Sequence, residues 1–119
     1  FYGFRSVYDG RYRYIVNLTP EATFQNVETK SPLFKEWKSL AETDSHAKAM
    51  TTKYQHRPAI ELYDVKNDPY CMKNLAEDAN QASTISRLDK ELKRWMKDCG
   101  DEGQPTEMRA FEHMPGKRK

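Results

Sequence analysis

The sequence predicts an α+β fold: a small antiparallel β-sheet of three to four strands, a long C-terminal helix packed on one face, and a second helix from a mid-chain insertion. An Asp-Gly turn between alternating segments indicates a hairpin, and an apolar stripe at helical spacing indicates the long helix. The chain has 119 residues, enough for one domain. Residues 1–103 are predicted to form this domain, and residues 104–119, rich in glycine, proline and charge, to form a mobile tail.

The hairpin is predicted from residues 5–8 and 11–16, which flank the pair Asp9-Gly10. Asp-Gly tolerates the positive φ angles that a type I′ turn requires. The second strand presents one mainly aromatic and aliphatic face, made of Tyr12, Tyr14, Val16 and Leu18. Its other face consists of Arg11, Arg13, Ile15 and Asn17. This alternation predicts a sheet with one face on a core.

The mid-chain insertion is predicted to contain a loop, a helix and a further helical turn. The loop covers the polar residues 21–30, after which Ser31 and Pro32 supply an N-cap and a first helical residue. A second short helical turn is expected at residues 44–50. The apolar stripe of the first helix consists of Leu33, Phe34, Trp37, Leu40 and Ala41.

The C-terminal half is predicted to contain a third strand at residues 59–65, a turn at 67–70 and a helix at about 80–98. Gly100 fits the position just after that helix, where a left-handed residue commonly ends it. The helix is expected to cover the sheet with a stripe made of Ile85, Leu88, Leu92, Trp95, Met96 and Cys99.

Charge and hydropathy exclude two classes of partner. Twenty basic and 18 acidic residues leave a net charge of +2, and no apolar stretch approaches the ~18 residues that cross a bilayer. Neither nucleic acid nor a membrane is therefore expected as a partner. Arg5, Arg11 and Arg13 interleave with tyrosines in the hairpin, but the acidic residues balance them. A solvated strand face is expected there.

The cysteines and histidines show no metal-ligand spacing. Cys71 and Cys99 form no CxxC pair, and two free thiols are expected rather than one disulfide, although the spacing permits either. The acidic turn at residues 64–68 offers oxygen atoms without a calcium-loop pattern. No i, i+4 or Cys/His ligand spacing occurs among His46, His56 and His113.

Several short segments together resemble the C-terminal part of sulfatases, over about residues 4–103. These segments are RPAIELYD at 57–64, NDP at 67–69, NLA at 74–76, RSV at 5–7, RYRYI with NL at 11–18 and LKRW at 92–95. The chain is similar to the N-sulfoglucosamine sulfohydrolase (heparan N-sulfatase) type and its bacterial homologues. The resemblance implies a fragment of a larger enzyme of the alkaline phosphatase superfamily, whose α/β catalytic domain precedes this domain. It also implies a periplasmic, secreted or lysosomal location.

Sulfatases use a formylglycine made from the Cys or Ser of a [CS]-x-P-x-R motif, together with a calcium ion held by Asp and Asn residues. Neither Cys nor Ser stands two positions before any of the six prolines; those positions hold Leu18, Lys30, His56, Asn67, Gly103 and His113. We therefore expect both groups in the catalytic domain, with no catalytic residue, metal ligand or cofactor in this chain. The isolated chain is expected to release no sulfate.

The resemblance places this domain beside the catalytic cleft, so one of its loops is expected to contact the sugar. The candidate is the segment 53–57, in which His56 and Arg57 would bind sulfate or carboxylate and Tyr54 would stack on a sugar ring. In the alternative interpretation, Arg57 pairs with Glu61 or another carboxylate and Tyr54 belongs to the core.

The primary hypothesis is an accessory domain of a sulfatase, which completes the fold and forms one wall of the substrate cleft. Its expected partners are the N-terminal catalytic domain of its own chain and, in the full enzyme, a sulfated carbohydrate. An open docking face would leave an exposed apolar patch, so the isolated chain is expected to self-associate. The alternative is a free-standing binding or interaction module for an anionic polysaccharide. A third hypothesis keeps the superfamily but changes the reaction to phosphoester or phosphonate hydrolysis.

Overall fold

The computed structural model describes residues 2–113 and confirms the α+β class. Its strands are β1 (Phe4–Tyr8), β2 (Tyr12–Asn17) and β3 (Ile60–Asp64), which form one antiparallel sheet in the order β1-β2-β3. Its helices are α1 (Pro32–Leu40), α2 (Ser45–Gln55), α3 (Ala82–Asp98) and α4 (Gln104–Met108). Short 3-10 turns lie at Glu28–Lys30, Ala79–Gln81 and Ala110–His113. Within the described range, no helix is long and apolar enough to cross a membrane.

The described residues divide into two compact units. The sheet unit comprises residues 3–19 and 59–113, and the insertion unit comprises residues 20–58 together with Tyr2. The sheet unit contains all three strands with α3 and α4, whereas the insertion unit contains α1 and α2. The predicted mid-chain insertion is therefore a compact unit of its own.

The hairpin forms, but its turn is not the predicted type I′ turn, because only Gly10 of the Asp9-Gly10 pair has a positive φ. The Asp9 side chain closes the turn instead. The Asp9 carboxylate oxygen Oδ1 accepts hydrogen bonds from the backbone N–H groups of Arg11 (2.9 Å) and Tyr12 (2.7 Å). Gly10 adopts φ +99°, a conformation that costs glycine little. The register places Tyr14 of the central strand opposite Val7 on one side and Leu62 on the other.

A cluster of four side chains forms the core of the sheet unit. It consists of Tyr14 and Leu62 from the sheet and Leu88 and Leu92 from α3, each at most 2% exposed. The Tyr14 hydroxyl donates to Asp89 Oδ1 at 3.1 Å, and burial raises the pKa of Tyr14 to about 12. The hydroxyl thus stays protonated, and its polar atom is satisfied within the core.

Two members of the predicted α3 stripe do not join this core. Trp95 is 55% exposed, and Cys99 is exposed at the end of the helix. Trp95 lies at the edge of the stripe, where it lines a groove with Val7 and Tyr8. The spacing identified the apolar face correctly, but the sheet covers only the part of it around Leu88 and Leu92.

Helix α3 ends at Gly100 as predicted. Gly100 has φ +71°, its N–H donates to the Lys97 carbonyl at 3.2 Å, and the Asp101 N–H donates to the Met96 carbonyl at 2.7 Å. These two bonds form a Schellman motif, which reverses the chain after the helix. The reversal brings Asp101 to the side of the sheet where β1 begins.

Arg5 is not on a solvated strand face, contrary to the expectation. Its guanidinium pairs with the Asp101 carboxylate and, at 2.6 Å, with Glu107 of α4. Arg5 and Asp101 are only 14% and 11% exposed, because the turn after α3 and helix α4 fold back over β1. Gly3 allows this close approach, since a Cβ there would lie 2.6 Å from Glu107 Cγ.

The segment predicted as a mobile tail begins with ordered secondary structure. Helix α4 and the turn at Ala110–His113 lie within it, and Thr106 Oγ1 accepts a hydrogen bond from the Glu102 N–H at 2.8 Å. The Arg5–Glu107 pair supplies the long-range contact that a composition argument does not reveal. Mobility itself stays a prediction, and residues 114–119 lie outside the described range.

The open edge of β3 is covered by Asn74 and Leu75. The Asn74 side-chain amide accepts from the Leu62 N–H at 2.9 Å and donates to the Ile60 carbonyl at 3.2 Å, as a neighbouring strand would. The Leu75 N–H then donates to the Leu62 carbonyl at 2.8 Å. Asn74 also accepts a hydrogen bond from the Ala76 N–H at 3.0 Å, which caps the turn that follows. The NLA segment therefore protects a strand edge.

Replacing Leu92 with alanine is expected to lower the free energy of unfolding by about 2–5 kcal/mol, because it opens a cavity among buried side chains. Chemical denaturation followed by far-ultraviolet circular dichroism measures the change. Lys90, exposed on the same helix, provides the control: Lys90→Ala should change stability by less than about 0.5 kcal/mol. Equal effects of the two substitutions would contradict the assignment of the core.

Acid is expected to destabilise the fold through its paired aspartates. The hydrogen bond from Arg87 lowers the pKa of Asp9 to about 2, the bond from Arg11 lowers that of Asp64 to about 2, and Arg5 lowers the pKa of Asp101. A carboxylate with a lower pKa in the folded state stabilises the fold above its unfolded pKa of about 4. That contribution is lost as the pH falls toward the folded value.

Asp101→Asn is therefore expected to reduce stability at neutral pH and to flatten the loss of stability between about pH 4 and pH 2. Denaturation midpoints measured across this range test the expectation. Asp98→Asn, at an exposed site on α3, is the control and should keep the wild-type slope. A wild-type slope in Asp101→Asn would argue against the role of the Arg5 pair.

Candidate functional site

The segment predicted to contact substrate, residues 53–57, is not wholly a loop. Helix α2 continues through Gln55, and His56 is its C-cap residue, with an N–H bond to the Thr52 carbonyl at 2.8 Å. The helix is longer than the predicted turn at residues 44–50. Asp44 caps its start by accepting from the Ala47 N–H at 2.7 Å, and the first proline after it is Pro58. Tyr54 is thus held by the last turn of α2, and only His56 and Arg57 follow the helix.

Tyr54 packs within an aromatic cluster of the insertion unit. Its ring lies edge-to-face with Phe24 at 5.7 Å between centroids and tilted against Phe34 at 5.5 Å. Its hydroxyl accepts a hydrogen bond from Asn26 Nδ2 at 3.0 Å. The cluster continues to Tyr2, whose ring lies 5.3 Å from that of Phe24. This geometry favours the packing interpretation for the Tyr54 ring, while the side chain stays partly exposed.

Arg57 lies over the other aromatic neighbour of Tyr54. Its guanidinium carbon is 4.8 Å from the centroid of the Phe24 ring, a cation–π contact. A guanidinium stacked in this way keeps its N–H donors in its own plane, where they can bind a planar or tetrahedral oxyanion. His56, the preceding residue, is exposed. The pair offers hydrogen-bond donors suited to an anion.

Tyr54 also borders a small cleft that the sequence did not reveal. The cleft has a volume of about 140 Å³ and is lined by Glu28, Ser31, Leu33, Phe34, Trp37 and Tyr54. Phe34 is 6% exposed, but Leu33 is 62%, Trp37 48% and Leu40 51% exposed. Most of the predicted α1 stripe therefore faces outward. Helical spacing identifies an apolar face, and in α1 only Phe34 turns into the core of the unit.

The sheet unit contains a buried polar cluster, which sequence patterning missed. The Glu61 carboxylate, in a residue 5% exposed, accepts from the Tyr63 hydroxyl at 2.6 Å and from Asn17 Nδ2 at 2.8 Å. Asn17 was assigned to the polar strand face, yet it is only 3% exposed. Both partners keep the carboxylate hydrogen-bonded, which is what burial of such a group requires. Glu61 and Tyr63 of β3 thus form structural hydrogen bonds.

The acidic turn after β3 uses its carboxylates in structural bonds. Asp64 pairs with Arg11 at 2.8 Å and accepts from the Asn67 side chain at 2.9 Å. Asp68 accepts from the backbone N–H groups of Met72 (3.0 Å) and Lys73 (2.8 Å). Among residues 2–113 no three His, Cys, Asp or Glu side chains are grouped so that they would hold a metal ion. Cys71 and Cys99 are not joined by a disulfide.

Comparison with known proteins relates the chain to sulfatases. It is 33% identical over 107 residues to an ulvan-active sulfatase of Formosa agariphila, a match that covers 87% of this chain and 18% of that protein. A second ulvan-active sulfatase of the same organism is 32% identical over 97 residues, or 82% of this chain and 18% of that protein. No family model matches.

The chain spans about 18% of the length of these curated relatives. The similarity supports the resemblance to sulfatases that the short segments indicated, and it does not support the heparan N-sulfatase type in particular. The chain is therefore homologous to a segment of ulvan-active sulfatases.

Proposed function

We propose that this chain is the C-terminal accessory domain of a sulfatase that acts on sulfated carbohydrate. The similarity over 87% of the chain to an ulvan-active sulfatase is the observation that carries the proposal. In this proposal the formylglycine and the calcium ion belong to a catalytic domain of the same polypeptide. The present domain completes the fold and forms one wall of the substrate cleft.

Ulvan is the first candidate substrate, because both relatives are named for it. A heparan-type N-sulfate is the second candidate and rests only on the resemblance of the short segments. The two differ at the scissile bond, which is to oxygen in a sulfate ester and to nitrogen in a sulfamate. The choice between them lies with the catalytic domain.

The residues proposed to reach the substrate are His56 and Arg57. Both follow the C-terminal end of α2, where the helix dipole favours cationic side chains. Arg57 is positioned by the Phe24 ring and can donate two parallel hydrogen bonds to a sulfate or carboxylate. His56, the exposed residue before it, adds an imidazole N–H donor. Their proposed role is to bind and orient the sugar, not to attack the sulfur.

The groove beside β1 is the proposed docking face for the catalytic domain. It has a volume of about 360 Å³ and runs between β1 and α3, where Tyr8 is 53% and Trp95 55% exposed. β1 is an edge strand with an unpaired backbone edge within the described sheet. Exposed aromatic side chains beside such an edge favour a protein partner. A catalytic domain in the same polypeptide would cover both.

The gene is expected to encode a [CS]-x-P-x-R motif several hundred residues upstream of Phe1. Sequencing the reading frame tests this directly. A start codon immediately before Phe1 would contradict the sulfatase proposal and favour a free-standing polysaccharide-binding module.

In the full polypeptide that this gene encodes, His56→Ala is expected to raise the KM for ulvan about tenfold with little change in kcat, since a contact made in both ground and transition states is removed. Steady-state sulfate release measures both constants. His46→Ala, at an exposed histidine of the same helix, is the control. Equal KM values for the two variants would show that His56 does not contact the substrate, and they would leave the sulfatase assignment intact.

The isolated chain is expected to self-associate through the groove beside β1. Trp95→Glu should shift the sedimentation coefficient toward the monomer, because it places a charge on the exposed apolar surface. Lys90→Glu, a charge change at an exposed site on the same helix, should leave association unchanged. A monomeric wild-type chain would refute the docking face.

A further inference from the structure

We propose that the cleft of the insertion unit binds an unsulfated pyranose ring of the carbohydrate chain. The inference rests on the proposed function for the class of ligand, and it adds a second contact separate from the sulfate-binding residues. The cleft is built by the turn before α1, by α1 itself and by Tyr54 of α2. Tyr54 belongs to the segment already proposed to meet the substrate, so the cleft continues that segment.

The aromatic lining of the cleft suits the face of a sugar ring. Phe34 is buried, and its ring lies 5.5 Å from that of Tyr54. Trp37 lines the same cleft with about half of its surface exposed. The C–H groups on one face of a pyranose are apolar and pack on aromatic rings, as other apolar ligand groups do in concave sites. The volume of about 140 Å³ is enough for one ring.

The polar groups of the cleft select the chemistry of that ring. Glu28 provides a carboxylate, which accepts strong hydrogen bonds from hydroxyl groups and repels a sulfate. The Ser31 hydroxyl oxygen accepts from the Phe34 N–H at 3.1 Å and retains its own O–H to donate. A ring with free hydroxyls satisfies both groups, whereas a sulfated ring is disfavoured by the carboxylate.

A protein partner would use a different set of side chains. Leu33, Trp37 and Leu40 lie at i, i+4 and i+7 on α1, the spacing of a helix that docks into a groove. Leu40 is 51% exposed but does not line the cleft. A sugar bound in the cleft therefore depends on Trp37 and not on Leu40, while a docked protein depends on both.

The test uses the full chain and oligosaccharides prepared from ulvan, either native or chemically desulfated. In a Trp95→Phe background, Trp37 is the remaining tryptophan and its fluorescence reports occupancy of the cleft. Both oligosaccharides are expected to change this fluorescence, because the ring in the cleft carries no sulfate in either. By calorimetry, Trp37→Ala should weaken binding about tenfold and Trp37→Phe by no more than about threefold, since phenylalanine keeps an aromatic face. Leu40→Ala should bind as the wild type does, and circular dichroism verifies that each variant is folded.

Four results would overturn the inference, and the first three are no binding of either oligosaccharide, binding that Trp37→Ala leaves unchanged, and binding restricted to the sulfated form. Equal losses in Leu40→Ala and Trp37→Ala would assign the face to a protein partner and would also overturn it. The proposed function is judged separately by sulfate release from the full polypeptide. If the full polypeptide releases sulfate but the cleft binds no sugar ring, only the cleft proposal is refuted. If the cleft binds a sugar ring but no sulfate is released, only the sulfatase assignment is refuted.

Discussion

The packing of Leu88 and Leu92 on Tyr14 and Leu62 is the contact on which the sheet unit depends. A three-stranded sheet is marginal in water unless one face is covered, and α3 supplies that cover. Complete burial of such side chains contributes about 1.5–3 kcal/mol each, more than any single surface ion pair in the chain. Other contacts of the unit lie at the two edges of the sheet, next to this packing.

Both ends of this packing are closed by polar contacts between residues distant in sequence. The Schellman turn at Gly100 places Asp101 against Arg5, 96 residues earlier, and Glu107 completes the pairing from α4. At the other edge of the sheet, the Asn74 side-chain amide forms hydrogen bonds with the backbone N–H and C=O groups of β3. These contacts bring little apolar burial, so they act mainly by fixing which chain segment covers which edge. The short segments that resemble sulfatases contribute several of these residues, which gives the resemblance a structural reason.

The sequence predicted the elements that depend on local chemistry and missed those that depend on a distant partner. The Asp9-Gly10 hairpin, the start of α1 at Ser31 and the end of α3 at Gly100 follow from residues within a few positions of one another. Periodicity also identified the apolar faces of both main helices. It did not determine whether another element covers each face, so Trp37 and Trp95 were placed on apolar stripes and are about half exposed. The burial of Asn17 with Glu61 was missed for the same reason, since their hydrogen bond joins β2 to β3, which are distant in sequence.

The candidate site was foreseen as a set of residue types, not as a geometry. Tyr54, His56 and Arg57 attracted attention because they combine an aromatic ring with cationic donors before a proline. The structure separates their roles: Tyr54 packs among aromatic rings, Phe24 supports Arg57, and His56 is exposed. A fixed guanidinium loses less conformational entropy when it binds an anion than a free one does. In the proposed function the aromatic cluster would therefore serve recognition indirectly: Phe24, which packs in the core of the insertion unit, also holds Arg57 in place before a ligand arrives.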